Sequence, residues 1–162
     1  MKIGILSDSH NHLERTERAV ALLQDAGAEA LFHCGDLATP EIVAACAVLP
    51  FYFTFGNHDC DSVPLLEQAA EAQGAHCLQW GGEVKLASKR IALVHGHITR
   101  DLKPLLAAEP DYLLTGHSHQ THDFYESSTR RINPGALFRA KVFTVVTLDL
   151  ATDDLQWIEV PR

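Results

Sequence analysis

Five short groups of residues along this chain carry side chains that can bind a metal ion: Asp8-x-His10, Gly35-Asp36, Gly56-Asn57-His58-Asp59, His95-Gly96-His97 and Gly116-His117-Ser118-His119. Imidazole nitrogen together with carboxylate oxygen suits manganese, iron, zinc, nickel or cobalt, whereas an all-oxygen set would suit magnesium or calcium. Residues two apart on an extended segment face one side, so Asp8 with His10, and His117 with His119, can each aim two donors at one point. Taken singly, each residue has a plainer reading. A loop aspartate is more often a turn former or helix cap, and a lone histidine a satisfied polar group. Asp8 and Asn57 fit turns, and Asp36 fits a cap for the helix that begins after Thr39.

Their placement changes that reading, because each group ends an apolar run. Ile3 to Leu6 leads into Asp8, Leu31 to Cys34 into Asp36, and the aromatic run Phe51 to Phe55 into Gly56 to Asp59. Ile91 to Val94 leads into His95, and Tyr112 to Leu114 into His117. β-branched and aromatic residues favour a pleated, half-buried surface, and Gly56 lets the backbone turn sharply at its end. In sheets with helical crossovers, ligands collect beyond the carboxyl ends of the strands, so five such ends imply one shared site.

The intervening segments read as the elements that would hold those ends. Asn11 with Glu14 resembles a capping box, and Leu13, Thr16, Val20 and Leu23 recur at helical spacing until Gly27. Thr39-Pro40 starts a second helix, expected to reach about Val48 before Pro50 ends it. Asp61 or Ser62 caps a third through Leu65, Leu66, Ala69 and Ala70, closed by Gly74. This βαβαβ order predicts a parallel sheet with right-handed crossovers. His76 to Trp80 and Glu83 to Ala87 flank Gly81-Gly82, which reads as a hairpin turn. A strand over Arg90 to Val94, a short helix near Pro104 to Glu109 and a strand at Tyr112 follow. Strands then succeed one another near 121–126, 130–133, 142–150 and 155–160. The expected fold is α/β: two packed mixed β-sheets flanked by helices, an α-β-β-α sandwich in one domain over residues 1–162, with the second sheet largely antiparallel.

The 162 residues are 46% hydrophobic and 21% charged, an ordinary balance for a globular protein. Twenty-one acidic residues against 13 basic ones give a net charge of -8, which argues against long nucleic acid as a partner. The opening apolar run is too short for a signal peptide or a membrane span, which places the protein in the cytoplasm. Cys34, Cys46, Cys60 and Cys77 form no C-x-x-C pair and read as free thiols of a reducing compartment.

In their order and spacing, the five groups resemble the five-motif signature of the calcineurin-like metallophosphoesterases, especially their small, cap-less bacterial and archaeal phosphodiesterase branch. Asn133-Pro134-Gly135 resembles a further element of that family, although a plain turn between strands explains it equally well. The resemblance implies two divalent transition-metal ions, manganese first, with iron, nickel, zinc or cobalt as alternatives. One would be held by Asp8, His10, Asp36 and His119, the other by Asp36, Asn57, His95 and His117, with Asp36 shared. Two such ions against two aspartates leave about +2 locally, which attracts phosphate. The implied reaction is hydrolysis of a small phosphate ester, diesters preferred, by a hydroxide bridging the ions whose parent water has a pKa of roughly 7. His58, not a metal ligand in the family, would stabilise phosphoryl charge or protonate the leaving alkoxide, and Asp59 would orient it.

Two positions depart from the family pattern. Gln120-Thr121-His122 lacks the proline often found two residues after the last ligand, and Ala136 stands where serine is common. His97 shares the side of His95 and reads either as an outer contact or as solvated. His12, His33 and His76 read as ordinary polar residues, and Arg100, Lys103, Arg130, Arg131 and Arg139 as solvated cations. The rival reading is a protein-binding scaffold, as in the retromer scaffold subunit, which keeps this fold and lacks the catalytic histidine. Assembly into a homo-oligomer is compatible with either.

Overall fold

The computed structural model describes residues 1–162. Its elements in chain order are β1 (Lys2–Leu6), α1 (Leu13–Asp25), β2 (Ala30–His33), α2 (Pro40–Cys46) and β3 (Phe51–Phe53). A single 3-10 turn (Asn57–Asp59) precedes α3 (Val63–Gln73), β4 (His76–Cys77), β5 (Gly82–Leu86), β6 (Lys89–Leu93) and α4 (Thr99–Ala107). The chain continues through β7 (Tyr112–Leu114), β8 (His122–Glu126), β9 (Thr129–Asn133), β10 (Thr144–Asp149) and β11 (Leu155–Glu159). One sheet runs β11-β10-β1-β2-β3-β4 and the other β5-β6-β7-β9-β8. Strands β1 to β4 are parallel, as the strand-helix alternation predicts, and α3 closes at Gly74 with φ 66.

Alternation along the strands splits the interior into layers. Ile3, Ile5, Phe32, Val146 and Leu148 face Ile91, Leu93, Leu114 and Ile132 between the sheets. Leu31, Phe51, Phe53 and Val145 point the other way, onto Val20 and Leu23 of α1, Ile42 and Val43 of α2, and Leu66 of α3. On the far side, Ala92, Val94 and Leu113 are covered by Leu102, Leu105 and Leu106 of α4. Both sheets are thus mixed and flanked by helices.

Several local expectations are corrected. The second sheet is not largely antiparallel: β6, β7 and β9 are parallel, with β5 and β8 as antiparallel edges. The α4 crossover forces the β6–β7 pairing. The last two strands, which read as continuing that sheet, join the first one instead, with β10 antiparallel to β1. The burial of β10 on both faces fits a sheet interior. Gly81-Gly82 is not a hairpin turn but the passage from one sheet to the other; the hairpin lies at Ala87-Ser88, joining β5 to β6, with φ 48 and 66. Finally, neither α1 nor α2 has a side-chain cap, because Asn11 Oδ1 accepts a 2.9 Å hydrogen bond from Thr39 Oγ1 and so ties the two helix starts together. Helix α2 stops at Cys46, and α4 begins at Thr99 with Pro104 inside it. No helix is long and apolar enough to cross a membrane.

Candidate metal centre

The loops that follow β1, β2, β3, β6 and β7 are stitched together by their own backbones. Asp8 N–H donates to Gly35 O, His10 N–H to Asp36 O and Gly116 N–H to His95 O, each at 3.0 Å. Two glycines permit this closeness. A Cβ at Gly35 would come within 2.6 Å of His95 Nδ1, and one at Gly56 would collide with the Asp36 carboxylate. Gly35 also has φ 99, where a side chain is strained.

Both aspartates are buried, and each fixes one carboxylate oxygen while aiming the other inward. Asp8 Oδ2 accepts from Ser7 Oγ at 2.5 Å and from His117 N–H at 3.2 Å, while Oδ1 lies 3.1 Å from His119 Nε2. Asp36 Oδ1 accepts from His58 N–H at 2.8 Å, while Oδ2 lies 3.3 Å from His10 Nε2 and 3.4 Å from His95 Nε2. His95 Nδ1 meets the Cys34 carbonyl at 2.7 Å, which makes that nitrogen the protonated one and leaves Nε2 as a lone-pair donor. Donor atoms converge in three overlapping groups: Asp8 with His10 and His119, Asp8 with Asp36 and His95, and His10 with Asp36 and His58.

The electrostatics follow from this crowding. Burial works to raise the Asp36 carboxyl, but His95, the His58 N–H and His10 outweigh it and pull the pKa down to about 2. Burial lowers His10, although Asp36 and Asp8 oppose it. Burial also works to lower His95, but Asp36 and Asp8 override it and raise the pKa; His119 is raised chiefly by its contact with Asp8. Asp8 Oδ1, His10 Nε2, Asn57 Oδ1 and His95 Nε2 are buried, and none makes a hydrogen bond of acceptable angle, the 3.1–3.4 Å approaches within the cluster included. A buried polar atom left unpaired costs about 1–3 kcal/mol. A hard-to-borderline divalent cation is the partner that oxygen and imidazole lone pairs of this kind would share.

The structure brings together Asp8, His10, Asp36, His58, His95 and His119, and Asn57 shows the same orphaned oxygen. His117 stands apart: it is exposed, with its ring 5.2 Å from that of His95, outside the three convergent groups. Asp59 does not hydrogen-bond the His58 ring. Its buried carboxylate accepts three backbone N–H bonds instead, from Asp36 (2.8 Å), Ala38 (2.7 Å) and Gly56 (2.7 Å), and so clamps the β2 and β3 loops to each other. Burial raises its pKa against the pull of those bonds.

The route by which donors converge also differs from the extended-segment expectation. Asp8, His10, Asp36, His117 and His119 all have positive φ, between 43 and 65. Left-handed backbone costs a non-glycine residue roughly 1–2 kcal/mol, and such strain gathers where surrounding structure enforces it. His33, by its sequence position an ordinary polar residue within a strand, is fully buried behind the site, meeting Ser9 Oγ at 3.0 Å and accepting from Gly35 N–H at 3.2 Å. Burial drives its pKa down to about 3, so it stays neutral. Asn133 is more than a turn residue: its Nδ2 donates to Gly116 O at 2.8 Å and Ser118 Oγ at 3.1 Å, bracing the loop that carries His117 and His119. His97 packs beside His95 and His117, with Trp80 on its far side, and Cys60 is exposed.

The hollow opens into a cavity of about 420 Å³ lined by His10, Ala38, His58, His119, Phe138 and Arg139. Phe138 and Arg139 had no motif to announce them. A larger groove of about 530 Å³ runs between α1 and α2, but its only ionisable residues are Glu17 and Glu41 and it holds no convergent donor set. Chemistry therefore favours the smaller one.

Known proteins share this architecture. The family model described as calcineurin-like phosphoesterase superfamily domain matches residues 1–153. The chain is similar to phosphodiesterase MJ0936 of Methanocaldococcus jannaschii, with 27% identity over 138 residues that cover 83% of each chain. It is also similar to the solved structure of a novel archaeal phosphodiesterase, at TM-score 0.87 and 25% identity over 99% of this chain and 100% of that one. Vps29 of Entamoeba histolytica, in a structure complexed with zinc, gives TM-score 0.60 at 16% identity over 99% of this chain and 98% of its own, a likeness of fold alone.

Proposed function

The chain belongs to the calcineurin-like phosphoesterase superfamily, and on that premise we propose that it hydrolyses small phosphodiesters with two divalent transition-metal ions held between its sheets. The observation that carries the reading is the set of buried, unpartnered donor atoms on Asp8, His10, Asn57 and His95. One ion would take Asp8, His10, Asp36 and His119, the other Asp36, Asn57, His95 and His117. The position of Asp36 Oδ2, 3.3 Å and 3.4 Å from the nitrogens of His10 and His95, supports its sharing between them. For His117 the assignment requires its exposed side chain to turn inward. Manganese heads the metals that suit this mixture, ahead of iron, nickel, zinc and cobalt.

When bound, such ions supply positive charge to phosphoryl oxygens and a water of lowered pKa. The protein's own groups do the rest. Asp8 and Asp36 are held by Ser7, the His117 N–H and the His58 N–H, so their inward oxygens are fixed before substrate arrives. His58 is exposed to the cavity with its ring 4.8 Å from that of His10, in reach of a leaving oxygen to which it would give a proton. Asp59 serves as a positioning residue, holding the loop of the shared Asp36 against the loop that follows β3. All four helices and both sheets are accounted for without a cap over the cavity, which favours a diester, with its second substituent free to project, over an enclosed monoester. The reading places the enzyme in a reducing compartment such as the cytoplasm, where its four cysteines remain thiols.

A scaffold without catalysis is the alternative, and the retained His58 and unpartnered donor set argue against it. The deciding experiment loads the metal-free protein with manganese and compares an aryl phosphodiester, an aryl monoester and cyclic nucleotides, with the metal-free protein as control. Diester turnover abolished by chelation is the expected result. Full metal loading with no hydrolysis would hand the protein to the scaffold reading.

A further inference from the structure

We infer that the leaving arm of the substrate carries a second negative charge, a phosphate or carboxylate, and that Arg139 receives it. The inference rests on the phosphodiesterase reading above. In a chain with 21 acidic residues against 13 basic ones, arginines near a carboxylate are paired. Arg90 meets Glu83, Arg100 meets Asp101, Arg130 meets Asp123 and Asp153, and Arg131 meets Glu126. Arg15 and Arg162 donate to backbone carbonyls. Arg18 and Arg139 have neither kind of partner, and of the two only Arg139 stands at the cavity lined by His10, His58 and His119.

Arg139 is exposed, and its guanidinium has one neighbour. It lies 4.9 Å over the ring of Phe138, which in turn packs 4.6 Å from the His10 ring and 4.9 Å from that of His12. The segment beneath is anchored at buried Leu137, whose N–H donates to Ser7 O at 3.2 Å and whose carbonyl accepts from Arg15 Nη1 at 2.5 Å. Arg139 itself is in the left-handed region at φ 46. The backbone that carries this exposed cation is thus tied to the same framework as the proposed ligands, which sets Arg139 at the mouth. Because His58 meets the leaving oxygen, whatever is bonded to that oxygen must occupy this cavity, facing Arg139. A planar fork of donors with no carboxylate of its own matches a planar carboxylate or a phosphate in bidentate fashion, and a neutral alcohol would leave it unused.

The test uses three methyl aryl phosphate diesters whose leaving phenol bears a para carboxamide, carboxylate or phosphonate. The manganese-loaded wild type and its Arg139→Gln and Arg139→Lys variants are compared by kcat/KM. For the wild type, the anionic arms exceed the carboxamide by about tenfold, the size of one charge-assisted contact at a half-open rim. The ratio falls to about one in Arg139→Gln and is partly restored in Arg139→Lys; using each variant as its own reference cancels losses in folding or metal content. A phosphonate advantage over the carboxylate assigns the arm to phosphate, and the reverse assigns it to carboxylate. An anionic-to-neutral ratio unchanged in Arg139→Gln overturns the assignment of Arg139 while leaving the phosphodiesterase reading intact. Absence of any turnover by the metal-loaded wild type overturns that reading itself.

Discussion

Replacing Asp59 by asparagine separates a brace from a catalytic partner. The carboxylate now takes two N–H bonds on Oδ2, from Asp36 and Gly56, and one on Oδ1, from Ala38, all between 2.7 and 2.8 Å. An amide can keep its oxygen on the shared position, but its NH₂ then faces the Ala38 N–H. One charge-assisted bond is lost and a donor is stranded, about 2–3 kcal/mol, and the two surviving bonds weaken as their acceptor becomes neutral. Removing a buried charge returns part of that, since burial already raises the Asp59 pKa. A net loss of about 2–3 kcal/mol corresponds to a fall in Tm of roughly 5–10 °C for a chain of this size. Thermal unfolding of the metal-free protein followed by circular dichroism measures it. A second arm repeats the substitution in a His58→Ala background. If Asp59 acts as a clamp, its effect on kcat multiplies with that of His58→Ala; if it orients the imidazole, the effect vanishes there. A Tm within about 2 °C of wild type, together with loss of the kcat effect in the double variant, would refute the clamp.

Other outcomes follow from the same geometry. His58→Ala is expected to retain both metals by elemental analysis and to lose roughly 10²-fold or more in diester turnover; wild-type turnover in a fully loaded variant removes His58 from the reaction. Gly56→Ala drives a Cβ into the Asp36 carboxylate, so metal content and soluble yield should both collapse, whereas Gly74→Ala, with open space but φ 66, costs only about 1 kcal/mol in urea unfolding. His33 has a folded pKa of about 3, below the ordinary 6.5, so its contribution to stability is present above pH 6.5 and is lost as pH falls towards 3. Urea midpoints of the metal-free wild type between pH 7 and 5 should therefore drop faster than those of His33→Asn, by up to about 1.4 kcal/mol per pH unit, and parallel curves would contradict the buried neutral ring.

Much of the first sheet is legible in the sequence because its signals are local: apolar runs, the Pro50 and Gly74 breaks and the regular spacing of Val20 and Leu23. The strand ends bearing Asp8, Asp36, His95 and His119 are legible for the same reason, and their meeting follows from crossover handedness. What is hidden depends on partners distant in the chain. Nothing near Thr144 says that β10 will lie against β1, because either sheet could accept an apolar strand there. The pairing of His95 Nδ1 with the Cys34 carbonyl involves a backbone atom, which has no sequence signature. Asp59 sits beside His58 in sequence, which suggests a side-chain partnership, whereas the 3-10 turn delivers its carboxylate to three N–H groups. Left-handed conformations at Asp8 and His119 are likewise imposed by tertiary contacts, since neither residue type demands them.

Strand β1 lies between β2 and β10, with Ile5 beside Phe32 on one flank and Val146 on the other. During synthesis, every proposed ligand from Asp8 to His119 has therefore left the ribosome while the strand that bears the first of them still presents an open edge. Such distant pairing slows folding and leaves an adhesive flank exposed in the interval. Framing of the Asp8 loop is in consequence a late event: a chain halted at residue 120 holds all of these residues yet lacks the 144–149 strand that closes the sheet beside them.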